Sequence, residues 1–459
     1  MQELSYRKTI EQAQTAAQQE NYALLNQCLQ ELLQESDKAL RIELLADAAR
    51  RSTLLDLALT VLEAGSFHDR WDVAKILPNF GAEAVNALID LLDDEDSELQ
   101  WFIVRILGSF DHPSVVDALI EVLKTTDQEE LSAMAVSVLS TINAAPSELR
   151  EANRHAEVID KLSALLESDS TRLLAVQTLG QIRRSQTVPL LLQVVNDADF
   201  QVRAIAIEAL SSFHSPEITS VLVAALQDLA VPVRRSAATG LGFRHPQDSE
   251  HVDLVRSLRP LLMDLNLDVC RQSAIALGRI GTPDAIAALS EVLRSPHTPE
   301  SLSIELVRAL SWSNTLEGLT ALQTALLQSI VTPGAKLEIL HSLGRLDRVE
   351  LKPHATEILL QALKEPSEFL ESASARQAIA LSLGQLGDSK ALVPLINLLS
   401  DPDVGVRLHV MSALKSLDAE AAHRSLKQVA AMENSALGRG AAISPKLHGV
   451  LIALQEWDF

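Results

Sequence analysis

The sequence predicts an all-α protein: an α-solenoid, a right-handed superhelix of stacked antiparallel helix pairs with about eleven repeats between two caps. Three observations predict it. One helical pattern recurs: VRAIAIEALSSFHSPEITSVLVAAL from Val202, VRRSAATGLGFRHPQDSEHVDLVRSL from Val233 and ARQAIALSLGQLGDSKALVPLINLL from Ala375 each hold two apolar-periodic helices around a break, and each first helix ends on a leucine followed by a small residue. Fixing the register seven residues before that leucine gives Arg70, Gln100, Ser132, Arg172, Arg203, Arg234, Cys270, Ser303, Lys336, Arg376 and Arg407, spaced 30 to 40 residues apart. A period of this length marks units that cannot bury an apolar face alone and must stack on their neighbours. Finally, 47% of the residues are apolar but only 3% are aromatic, so Leu, Ala, Val and Ile must build the core, and helices packed with small aliphatics can approach closely. A globular chain of 459 residues would make about three domains. An array grows by adding layers instead, and one elongated domain is expected.

Residues 1–69 are helical but off-pattern. Leu24, Leu25, Leu29, Leu32 and Leu33 lie on one stripe with Gln and Glu opposite, as in an amino-terminal cap, and a degenerate repeat fits Ile42 to Leu62. The repeat array spans residues 70–431, entered at about Phe67. Its turns carry the breakers Gly81, His112-Pro113, Ser215-Pro216, Gly281 with Pro283, and Gly387-Asp388. Polar stops separate the helix pairs: Asp93 to Ser97, Asn196 to Asp199 and Ser400 to Asp403 supply Asp and Ser as helix amino-terminal caps. Three repeats are longer, with the extra residues expected to bulge as loops at Asn143 to His155, His245 to Asp253, and Lys364 to Ser374. Such insertions either carry recognition or are tolerated surface loops without a role. Residues 432–459 read as a small-residue loop (Asn434 to Pro445) and a closing helix (Lys446 to Trp457).

The net charge of -22, with 61 acidic against 39 basic side chains, opposes binding to a phosphate backbone, so nucleic acid is not an expected partner. The same imbalance disfavours an anionic membrane surface, and no apolar run approaches the roughly 20 residues of a membrane span. Gln2 to Gln19 is polar and charged, without the apolar core of a secretory signal. The two cysteines, Cys28 and Cys270, are far apart, which argues against a disulfide framework. A cytoplasmic location is expected.

Six residues before the register position an aspartate stands in five repeats: Asp94, Asp197, Asp228, Asp264 and Asp401. In three the partner six residues on is arginine, giving Asp197 with Arg203, Asp228 with Arg234, and Asp401 with Arg407. These pairs can meet within a repeat or across to its neighbour, forming a structural ladder in which the planar guanidinium bridges carboxylate and backbone carbonyls. The pattern D-x-x-V-x-V-R followed by A-x-x-A-L-G-x-[IL]-G-D/T, as in Asp401 to Arg407 and Ala274 to Thr282, resembles the HEAT-like repeat of the phycobilisome lyase family over most of the chain. The resemblance implies an α-solenoid. It leaves the activity open, since such repeats occur in scaffolds, chromophore lyases, chaperone-like factors and a metal-dependent hydroxylase. Cys270, Ser132 and Ser303 replace the basic residue, so the ladder is expected to break at those repeats.

Catalytic and metal chemistry find little support. The HEAT-like hydroxylase needs paired His-Glu dipeptides for two irons, and none of the twelve histidines is followed by glutamate. His251 beside Glu250, and His155 two before Glu157, have no second pair at helical spacing, so no metal or other cofactor is expected. His112, His214 and His245 read as turn or capping residues. There is no G-x-S-x-G elbow and no glycine-rich phosphate loop, and no catalytic residue is assigned. Cys270, between Asp268 and Arg271, could carry a lowered thiol pKa or be a small core residue.

Two functions remain. A lyase of the resembled family usually shows an R-Y-x-A-A-W-W-L-G stretch near its first repeat; here Glu98 to Phe110 (ELQWFIVRILGSF) keeps Trp101, Phe102 and Arg105 but lacks the tyrosine and the double tryptophan. A non-enzymatic protein-protein interaction scaffold, an assembly factor or chaperone, needs only a long concave acidic surface that grips a basic protein or segment. Helical phase places Asp90, Asp117, Glu121, Gln193 and Glu291 on the second helices as candidate contacts with that partner.

Overall fold

The computed structural model describes residues 2–34, 38–94, 96–141, 148–244, 253–436 and 444–457. Every element among them is helical, and within each of two units the helices follow one another as hairpins whose first members stack on first members. The α-solenoid expected from the repeat is thus the fold. Contacts divide the chain into two compact units, Met1–Leu210 and Ser211–Phe459.

In the first unit, Gln2–Gln18, Tyr22–Leu33, Lys38–Ala46 and Ala48–Ala64 precede Phe67–Val73. Tyr22–Leu33 buries Leu25, Leu29, Leu32 and Leu33, and Gln30 Nε2 donates 2.9 Å to the Asp72 carbonyl, joining this segment to the Phe67–Val73 helix. First helices Phe67–Val73, Ser97–Leu107, Glu129–Thr141, Asp169–Ile182 and Phe200–Leu210 alternate with second helices Ala82–Asp90, Pro113–Thr125, Glu148–Leu165 and Val188–Gln193. The Asn143 to His155 insertion differs from the expected bulge: residues 142–147 lie outside the description, and from Glu148 onward the insertion is the start of an 18-residue second helix.

In the second unit, first helices Val231–Leu241, Leu267–Ile280, Glu300–Trp312, Pro333–Gly344 and Ala373–Leu386 alternate with Pro216–Ala225, Leu254–Leu258, Pro283–Leu293, Leu316–Leu327, Lys352–Ala362 and Leu392–Leu398. The final hairpin runs as one segment, Val404–Ala436, broken only at Asp418, whose extended backbone (φ -163°, ψ 98°) lets its carboxylate accept from the Ala421 amide at 2.8 Å. Pro445–Trp457 packs against it. Residues 245–252 and 437–443, within the second insertion and the carboxy-terminal loop, lie outside the description.

The small residue after each leucine is explained by the stacking. A Cβ built on Gly278 would sit 2.6 Å from the Ala309 carbonyl oxygen, and one on Gly384 would sit 2.8 Å from the Ala413 Cα, so successive first helices touch backbone to backbone there. Turns end as their residues dictate. Gly81, Gly281 and Gly387 take φ of 59°, 62° and 75°, a left-handed conformation that costs a side chain free energy. Ser215 and Thr282 cap helices that open on Pro216 and Pro283, where the missing amide is no loss.

Candidate interaction surfaces

The five turn aspartates share one local geometry. The Oδ1 of Asp94, Asp197, Asp228, Asp264 and Asp401 accepts the amide two residues on, at 2.8 to 2.9 Å, closing an Asx turn before the next helix. The register arginine then reaches back to the carbonyl at or next to that position. Arg203 Nη1 donates to the Asp197 carbonyl at 2.8 Å, Arg234 Nη1 to Asp228 at 2.8 Å, and Arg407 Nη1 to Asp401 at 2.7 Å. Within a repeat, therefore, the arginine meets the backbone of its aspartate. The carboxylate itself is met from the preceding repeat: Arg172 stands 3.4 Å from Asp197, Arg234 donates to both oxygens of Asp264 at 2.8 and 2.9 Å, and Arg376 to both oxygens of Asp401. Burial by itself would raise the Asp264 carboxyl pKa, but the Arg234 fork and the Asn266 amide outweigh it and bring it below the usual carboxylate range.

Where the register residue is not arginine, only part of this arrangement persists. Gln100 donates to the Asp94 carbonyl at 2.8 Å, and the Cys270 thiol to the Asp264 carbonyl at 3.2 Å. In the first repeat Arg70 pairs with Asp96 at 2.7 Å rather than with Asp94. The Lys364 to Ser374 insertion replaces the next turn aspartate by Leu370, which is buried, and Phe369 lies beneath the Lys336 ammonium, 5.5 Å from ring centre to Nζ. Lys336 is only 6% exposed and makes no ion pair with a described residue, and burial pushes its pKa down.

All five candidate contacts on the second helices are exposed. Three of them already hold a basic side chain: Asp117 takes Lys161 from the next second helix at 2.5 Å, Glu121 takes Lys124 at 3.2 Å, and Glu291 takes Arg259 at 2.5 Å. Asp90 and Gln193 make no side-chain hydrogen bond or ion pair with another described residue. A cleft of about 280 Å³ opens between Pro283–Leu293 and Leu316–Leu327, lined by Ala287, Ser290, Thr320, Ala321 and Thr324 with Arg294 and Glu317 beside them.

Among the described residues no group of three or more His, Cys, Asp or Glu could hold a metal ion. His112 caps Pro113–Thr125 through a 3.3 Å bond from the Ser114 amide to Nδ1. His155, His245 and His251 lie outside the described side chains. A lowered Cys270 pKa is corrected: the thiol is 3% exposed, and burial, reinforced by the Asp264 charge, pushes it up. No helix among the described residues is long and apolar enough to cross a membrane.

One cluster exceeds what the sequence singled out. Trp101, Phe102 and Arg105 are joined by Phe67 and Trp71 from the preceding first helix. The Phe67 and Phe102 rings stand 5.1 Å apart edge to face, Trp101 and Phe102 5.3 Å, and Arg105 lies 3.7 Å over the Trp71 ring and 5.6 Å from Trp101. The missed signal was register: Trp71 follows Arg70 as Trp101 follows Gln100, so the two indoles occupy the same phase of successive first helices.

Stacked first helices, glycine contacts and a turn ladder define a helical-repeat solenoid. The chain belongs to the HEAT repeat family: residues 55–140, 85–170, 159–242, 219–311 and 368–444 match HEAT repeats. It is 30% identical over 173 residues, 37% of this chain and 71% of the other, to a protein named uncharacterized phycocyanin operon protein Z from Pseudanabaena tenuis (strain PCC 7409). Among solved structures it resembles importin beta crystallised in a polyethylene glycol condition, with TM-score 0.55 and 16% identity over 97% of this chain and 69% of that one. It also resembles Kap121p bound to Pho4p, with TM-score 0.56 and 11% identity over 98% of this chain and 54% of that one, and Kap121p bound to the SUMO protease Ulp1p, with TM-score 0.58. The chain spans about half the length of Kap121p. At these identities the likeness is one of fold.

Proposed function

We propose that this protein is a non-enzymatic protein-protein interaction scaffold, an assembly factor or chaperone that binds a basic protein or basic segment through its second helices. The observation that carries this reading is the fold combined with charge. Helical-repeat solenoids use extended surfaces to bind other proteins; Kap121p, of similar fold, is bound to Pho4p and to Ulp1p in its structures, and this chain adds a net charge of -22. Asp90 and Gln193 are the contacts with unused polar groups. Asp117, Glu121 and Glu291 would exchange their present lysine or arginine for one from the partner, an exchange of exposed ion pairs worth little either way. A cytoplasmic location in a cyanobacterium-like cell fits the charge and the similarity to a phycocyanin operon protein.

The test is affinity purification of the tagged protein from its source cells, followed by mass spectrometry. A stoichiometric partner with a basic binding segment, released as salt rises to several hundred millimolar, is expected. A complex indifferent to salt would refute the electrostatic part of the reading.

The similarity to phycocyanin operon protein Z favours a second reading, a bilin lyase or chromophore chaperone acting on phycobiliproteins. Incubation with free bilin and an apo-phycobiliprotein decides it: covalent attachment dependent on this protein establishes the lyase, and its absence leaves the scaffold.

A further inference from the structure

The Phe67, Trp71, Trp101 and Arg105 cluster is a second surface of different chemistry. The chain has nine phenylalanines and four tryptophans in 459 residues, and two of each meet here on two adjacent first helices. Phe102 is fully buried and packs edge to face with the other three rings, whereas Phe67 is 57% exposed and both indoles are partly exposed, so aromatic surface on two adjacent first helices reaches solvent. Arg105 lies face-on over Trp71. Stacking of this kind uses the π face of a guanidinium and does not consume its N–H donors, which lie in the plane.

In a chain with so large an acid excess, several arginines are held by acids: Arg51 by Glu83, Arg70 by Asp96 and Glu98, and Arg172 by Asp169. The side chain of Arg105 makes no ion pair or hydrogen bond with any described residue. Both acids of the Phe67–Val73 helix are engaged elsewhere, Asp69 in the capping box with Ser66 and Asp72 with Lys75 at 2.7 Å. A planar fork without a carboxylate, fixed beside this aromatic surface, matches the Arg, Trp and Phe enrichment of interface centres, and it is complementary to a carboxylate flanked by apolar side chains.

We propose that this surface docks a segment of a partner protein in which acidic residues alternate with aromatic ones, its carboxylate bound by Arg105 and its ring laid on Phe67 and Trp101. This site lies on first helices and has the opposite polarity to the second-helix surface, so it stands whether or not that surface binds a basic segment.

The experiment titrates the full-length protein with a synthetic peptide of alternating Glu and Phe, about ten residues long, and with its Gln and Phe counterpart, read by calorimetry and tryptophan fluorescence. Saturable binding of the Glu peptide is expected, weakened at least about tenfold in the Gln peptide and in Arg105→Gln, with Arg105→Lys intermediate. Arg279→Gln, which removes another arginine stacked on a ring (Phe243), should leave binding unchanged. The Glu against Gln comparison uses the unaltered protein and holds even if a variant misfolds. Four outcomes would overturn the proposal: no saturable binding at millimolar peptide, equal binding of the two peptides, Arg105-dependent self-association in sedimentation, or a free linear tetrapyrrole displacing the peptide from the rings.

Discussion

Arg234 and Asp264 stand thirty residues apart in the chain, yet the guanidinium of one donates to both carboxylate oxygens of the other while its third arm holds the carbonyls of Asp228 and Leu229. One side chain thus ties its own turn to the turn of the next repeat. The side chains are 15% and 10% exposed, so water competes little for these bonds.

Arg234→Ala should lower the unfolding free energy by about 1–3 kcal/mol, because it strands the Asp264 carboxylate and two carbonyls in a half-buried turn. Arg234→Lys keeps the charge but loses the fork, and should recover less than half of the loss. Urea unfolding of both variants checks this. A double-mutant cycle with Asp264→Asn should give a coupling energy above about 0.5 kcal/mol.

Acid should loosen the same junction. The Asp264 carboxyl is held below its usual value of 3.8, so its contribution is complete above that pH and is lost as the pH falls through the lowered folded value. Asp96 behaves alike: burial raises its pKa, but the Arg70 guanidinium and the Leu99 and Glu98 amides outweigh burial and lower it. Thermal melts at successive pH values below about 4 should fall more steeply for the native protein than for Asp264→Asn. Parallel curves would count against the assignment.

Gly278→Val should be the more damaging of two glycine substitutions. Its Cβ would meet the Ala309 backbone at 2.6 to 3.0 Å, where no side chain can swing aside, whereas a Cβ on Gly180 meets only the Ala209 Cβ at 3.0 Å. A loss of about 1–3 kcal/mol or more is expected for Gly278→Val and clearly less for Gly180→Ala, measured by thermal unfolding.

Cys270 should resist alkylation. With the thiol buried and its pKa raised, iodoacetamide at mildly alkaline pH should label it at least about a hundredfold more slowly in the folded protein than in urea. Rapid labelling of the folded protein would restore the case for a reactive thiol.

The repeat, its register and its breakers were legible because they are local. Leucine spacing fixes the buried stripe, and Gly281 or Thr282-Pro283 ends one helix and starts another wherever it stands. The aspartates were legible as a periodic position, and as half of a ladder. Their Asx turns and the offset of each carboxylate to the preceding arginine were not, since a pairing such as Arg172 with Asp197 depends on how far one layer is displaced over the next. The Asn143 to His155 insertion misled for a related reason: polar residues can lengthen a helix as readily as form a loop.

What the sequence alone determined is the class of architecture, because hydrophobic periodicity and turn residues act within a few residues of themselves, and the acidity that any partner must meet. The tertiary structure decided which side chains converge. Only stacking brings Arg105 onto Trp71 across thirty-four residues, and only stacking leaves Lys336 facing Phe369 where its counterparts Arg234 and Arg376 face an aspartate. Those contacts arise from the separation and offset between layers, a property that no single repeat contains.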